Sequence, residues 1–136
     1  MQTPPSSVIV PRFAPGFRLS VVDVMVLVVG AVGAIVLGLQ VWWWGYVVAI
    51  VVGHFFLFCN VFRISRMLEL AWAAVFVGLA GGTIVAGRPD WIATTIDTLF
   101  VTIAVIAVEM CRPSYHGASW ERINPNLPEW WEANHQ

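Results

Sequence analysis

The sequence predicts an all-α protein built as an integral membrane four-helix up-down bundle. Three observations carry that expectation. The chain is 59% hydrophobic and only 11% charged, where soluble domains carry about 25% charged residues. Four apolar stretches each approach the roughly 20 residues that cross a bilayer. Only short links separate them, as in bundles whose sequential helices lie side by side. The 136 residues are room for one domain. A small soluble domain has too much surface for its volume to hide this apolar content, whereas hydrocarbon solvates it.

The expected spans cover residues 19–39, 43–62, 67–86 and 91–110, with links at 40–42, 63–66 and 87–90. A tail of residues 1–18 precedes them and a tail of residues 111–136 follows. Residues 1–20 contain four prolines and no early apolar core, so they do not read as a cleavable signal. All seven basic residues are arginine. Arg12 and Arg18, Arg63 and Arg66, and Arg112 and Arg122 fall on one side of a four-span chain. Arg88, offset by Asp90, stands on the other. Positive charge marks the cytoplasmic side, so both termini are expected there, in a cell inner membrane. Trp42, Trp43, Trp44 and Trp91 then fall at the outer interface, which suits amphipathic rings. The net charge of −1 and the lack of a basic patch argue against nucleic acid.

Helices in lipid associate by close backbone approach at small residues. Gly30, Ala34 and Gly38 form such a ladder in the first span, and Gly45, Ala49 and Gly53 in the second. Ala74, Gly78, Gly82 and Ala86 form one in the third. In the fourth, Thr94, Thr98 and Thr102 repeat the spacing with hydroxyls that can bond the preceding carbonyls or another helix. The ladders read as bundle packing or as a partner-docking groove. Asn60, seven residues after Gly53, is expected to bond across helices.

Two intramembrane residues are candidates for chemistry. His54 is a candidate axial ligand for a haem or chlorophyll-type pigment, since neutral imidazole is a common ligand. Its bland alternative is a hydrogen-bonded core histidine. Asp97 lies about 9 Å inside the fourth span at 1.5 Å per residue. It is a candidate proton or ion site, because a carboxylate there is costly, or else bonds to Thr94, Thr98 or a neighbouring helix. A direct His54–Asp97 pair is within reach if the second and fourth helices touch. Cys59 and Cys111 lack the spacing of a metal or redox site and read as small buried hydrophobes. Asp23, Arg63, Arg66, Glu69, Glu109 and Arg112 form a charged belt at the cytoplasmic boundary, read as a partner-binding ring or a salt-bridge network. No metal site is expected, and no catalytic motif accompanies these residues, so the chain is not expected to be an enzyme.

The first tail holds Pro4, Pro5, Pro11 and Pro15, which favour extended backbone. It also holds Val8, Ile9, Val10, Phe13 and Phe17. The last tail carries Trp120, Ile123, Leu127, Trp130 and Trp131 among prolines and charges. Both tails are expected to be irregular, with Phe13, Phe17, Trp120, Trp130 and Trp131 anchoring in headgroups or in pockets on a partner.

The run HFFLFCNVFR, from His54 to Arg63, followed by LELAW, from Leu68 to Trp72, resembles a pattern in uncharacterised small bacterial polytopic membrane proteins. YHG and INPNLP in the last tail belong to it. The resemblance implies no activity.

The leading expectation is therefore a non-catalytic accessory or assembly subunit of a larger bacterial membrane complex, contacting membrane lipids and other membrane protein subunits. A homo-oligomer is one form of such an assembly. The alternatives are a pigment- or haem-binding subunit of a photosynthetic or respiratory complex through His54, and a small proton- or ion-conducting protein using Asp97.

Overall fold

A computed structural model of the chain describes residues 13–134. Pro4, Pro5, Pro11, Val8, Ile9, Val10 and Arg12 lie outside the described residues. The described residues are 76% helix, and no strand occurs among them. Four helices are long and apolar enough to cross a membrane, and their bounds lie within two residues of the expected stretches. The fold is thus consistent with a multi-pass membrane protein.

Helix α1 (Val21–Gln40) starts at a capping box: Ser20 Oγ accepts from Asp23 N–H, and the Asp23 carboxylate accepts from Ser20 N–H. These reciprocal bonds satisfy two amides that helix geometry orphans. Extended Val41 ends α1 and precedes α2 (Trp42–Phe56). The second apolar helix continues through a π turn, Leu57–Val61, closed by Phe62 N–H donating to Leu57 O at 3.0 Å. Helix α3 (Arg66–Ala86) stops at Gly87, whose φ of 67° is left-handed and suits a residue without Cβ. Helix α4 (Trp91–Met110) starts at Asp90, whose carboxylate accepts from Ala93 N–H at 2.8 Å.

The first two helices meet backbone to backbone. A Cβ added at Gly45 would lie 2.7 Å from Gly38 Cα and closer still to Ala34 O. One added at Gly30 would lie 2.7 Å from Val52 Cγ1. Gly30, Ala34, Gly38 and Gly45 therefore form the seam. Gly53 takes no part, since a Cβ there meets nothing within 4 Å, and Ala49 is exposed. Even so, none of α1's residues is buried.

The other helices meet through large side chains. Phe58, Trp72, Phe76, Ala80 and Val105 form the hydrophobic core. On α3 the small-residue ladder is not the face packed within the chain: Gly78 faces open space, Ala74 and Ala86 are exposed, and Gly82 packs on the 87–90 link through Arg88 O. The face that α3 buries is Trp72, Phe76, Ala80 and Thr83. Small residues at regular spacing mark a common face, but they do not say which face has a neighbour.

The last tail also departs from expectation, since it forms α5 (Trp120–Ile123) and α6 (Leu127–Asn134). Pro128 is compatible with α6 because it sits in the first turn, where its missing N–H has no intrahelical partner. Tyr115 and Leu127 anchor this tail at 1% and 0% exposure. Gly117 lies beneath Phe62 O, where a Cβ could not fit. Ala118 N–H donates to Val61 O at 2.7 Å.

Candidate functional site

His54 is buried. Its Nδ1 lies 2.8 Å from Ile50 O, which can only accept, so Nδ1 carries a proton. Its Nε2 lies 2.9 Å from Thr102 Oγ1. Trp72 Nε1–H donates to the same oxygen at 2.9 Å. A neutral imidazole with the Thr102 hydroxyl donating to Nε2 satisfies every partner. Thr102 Oγ1 also lies 2.7 Å from Thr98 O, an alternative acceptor for the same proton. The imidazole stacks on Trp72 at 4.4 Å between centroids, and Phe58 meets its edge at 5.7 Å. Both ring nitrogens are engaged and one face is covered, so His54 as held here does not fit an axial-ligand role. Thr102 and Trp72 were not legible as its partners: they lie 48 and 18 positions away, and only the fold brings them together.

The threonines extend this polar line along α4. Thr94, Thr98 and Thr102 are all buried. Thr98 returns its hydroxyl to the Thr94 carbonyl one turn back at 2.7 Å. Thr94 meets Thr83 Oγ1 at 2.7 Å. Towards the arginine-bearing end, the line gives way to Phe58 and Val105, both in the apolar core. At the opposite end of these helices, Trp42, Trp43 and Tyr46 gather on Trp91.

Asp97 does not join this line. It is exposed, as are Ile96 and Phe100 beside it. Its carboxylate makes no hydrogen bond or ion pair with any described residue. The His54–Asp97 pair does not form, because His54 meets Thr102 instead.

The charged belt gathers where α2 turns into α3. Glu109, 5% exposed, accepts from Ser65 N–H at 3.1 Å, beside the start of α3. A carboxylate at a helix N-terminus is favourable against the dipole. Arg112 donates to Ser65 Oγ at 2.8 Å and lies 3.5 Å from Glu109. Arg66 pairs with Glu69 at 2.9 Å. Arg63 has a left-handed φ of 50°, an uncommon geometry for a residue with a Cβ, and donates to Ala14 O at 2.6 Å. Burial, and secondarily the charge of Arg18, push its guanidinium below its ordinary pKa. With its amide nitrogen turned towards α1, Asn60 donates to Arg18 O at 3.0 Å and to Asp23 Oδ2 at 3.1 Å. Cys59 is partly buried, but Cys111 is exposed, contrary to its reading as a buried hydrophobe. It stands just past the last turn of α4.

The tail aromatics find partners within the chain. Phe13 meets Trp120 at 6.1 Å and Trp131 at 5.5 Å, and Phe17 meets Phe56 at 6.3 Å. The two tails also meet through Gly16 N–H donating to His116 O at 2.8 Å. Comparison with known protein families, curated sequences and solved structures finds no match to this chain.

Proposed function

We propose that the chain is a four-span, up-down membrane bundle with both ends in the cytoplasm, acting as a non-catalytic accessory or assembly subunit of a larger bacterial inner-membrane complex. The observation that carries this reading is Asp97: a carboxylate within an apolar helix, exposed, with no partner among the described residues. Ionisable groups at membrane depth pair with one another or with backbone, or line water. A group that faces away from its own bundle finds such a partner on another subunit. Gly53 and Gly78 add support, because both face open space on helix faces where another helix can approach closely. Six arginines on one side against one on the other support the orientation.

The pigment reading is weaker, since His54 spends both nitrogens inside the chain. The conduction reading is weaker too, since Asp97 and the buried threonine line lie on different faces of α4. The test is the native mass of the endogenous protein after mild solubilisation. The proposal expects a discrete assembly larger than the chain that falls apart in Asp97→Ala. A lone chain in the unaltered protein rejects it. Protease protection that placed the two termini on opposite sides would reject the topology.

A further inference from the structure

The arginine-bearing end contains a cleft of about 490 Å³, within the roughly 300–1,000 Å³ of small-ligand sites. Arg63, Arg66 and Arg112 line it together with Glu69, Glu109 and Ser114. Two of these arginines are already answered: Arg66 by Glu69 and Arg112 by Glu109. Arg63 is not. All eight acidic side chains of the chain lie among the described residues, and none pairs with Arg63. Among the described residues its side chain makes one bond, from Nη1 to Ala14 O, and the rest of the guanidinium fork has no partner there.

The backbone around Arg63 is built rather than incidental. A π turn precedes it, its φ is left-handed, and the following Ile64 N–H is tied back to Phe58 O at 2.8 Å. Both tails brace the turn: Arg18 N–H donates to Asn60 O at 3.1 Å and Ala118 N–H to Val61 O at 2.7 Å. Left-handed non-glycine residues persist only where surrounding structure over-determines them, and they gather at ligand sites. Among the described residues, Arg63 is the one cation lining this cleft that no carboxylate answers.

We propose that this cleft binds a phosphate group, with Arg63 as its principal contact and the Ser114 hydroxyl and Arg112 beside it. The guanidinium fork matches phosphate oxygens two at a time, which an ammonium cannot do. Two sources share this chemistry: the headgroup of an anionic phospholipid and a free phosphate. The site itself does not depend on the accessory-subunit reading.

The test uses the full chain in neutral detergent, with inorganic phosphate and phosphatidylglycerol as separate probes and phosphatidylcholine as the neutral control. Retained adducts are counted by native mass spectrometry. Phosphatidylglycerol retained over phosphatidylcholine, and not displaced by millimolar phosphate, identifies the lipid as the source. Saturable binding of inorganic phosphate that displaces the lipid identifies the free anion. In either case Arg63→Gln weakens binding roughly tenfold, the scale of one charge-assisted bond, while Arg66→Gln changes it much less. Should Arg63→Gln fail to fold, Arg63→Lys keeps the charge without the fork and is expected to bind several-fold more weakly. Binding of neither probe overturns the proposal, as does equal loss in the Arg63 and Arg66 variants, which would mark a diffuse basic surface.

Discussion

The α1–α2 seam and the α2–α3–α4 core hold helices together by opposite means. At the seam, Gly38 and Gly45 bring two backbones into contact, with a Cβ at Gly45 reaching to 2.7 Å of Gly38 Cα. In the core, Trp72, Phe76 and Phe58 keep backbones apart, and a polar centre of His54, Thr102 and Trp72 fixes the fit. The seam depends on the absence of side chains, and the core on their presence. A seam of glycines fails when an atom is added, whereas a polar aromatic core fails when one is taken away.

That contrast orders the expected effects. Gly45→Val is the most damaging, because its branches meet the backbone of Gly38 and Ala34, which cannot swing aside. Denaturant titration in mixed micelles should show a loss of about 3 kcal/mol or more, at the upper end of overpacking costs. A loss under 1 kcal/mol would mean that the seam is looser than described. Thr102→Val comes next: the shape stays, but His54 Nε2 and Trp72 Nε1 lose their shared partner. The expected cost is about 1–2 kcal/mol, and His54→Phe in the same background should add less than it does alone, since the two residues share a network. Gly30→Ala costs less still, about 1 kcal/mol, because its obstacle is the Val52 side chain rather than backbone. Gly53→Ala or Gly78→Ala should leave the isolated chain unchanged or more stable by about 0.5 kcal/mol. If either weakens the native assembly all the same, the outward small-residue faces serve partners.

A pH-dependent effect concerns the tail. Burial, and then the Glu109 charge, raise the Tyr115 hydroxyl above its ordinary pKa. A raised value favours the neutral phenol in the folded state. Its contribution is therefore complete below the unfolded pKa of about 10 and is lost as pH rises through the folded value. Melting curves should weaken above about pH 10, and Tyr115→Phe should flatten that decline. The variant should cost about 1 kcal/mol at neutral pH for the lost bond to Ala118 O.

The four long helices were legible because hydropathy over some 20 residues is a local property. So was the small-residue seam at Gly30, Ala34, Gly38 and Gly45, because adjacent helices joined at Val41 have little choice of neighbour. Gly53 and Gly78 carry the same spacing and face open space, since periodicity does not choose between two helix faces. His54 was legible as a polar residue at depth, but its bond to Thr102 is tertiary. Arg63 was visible as one member of a charged belt. Its left-handed backbone, and the lack of a carboxylate opposite it, arise from a π turn and two bracing tails that no local pattern announces. The tail helices were hidden by proline content, because the position of Pro128 within the first turn decides its effect rather than its presence.

In the proposed assembly, α4 turns Asp97 towards another protein. A photocrosslinking residue in place of Asp97, activated in native membranes, tests it directly. A discrete protein adduct is expected from position 97 and none from position 98, where Thr98 is buried in the chain's own core. Adducts to lipid alone from position 97 would contradict it.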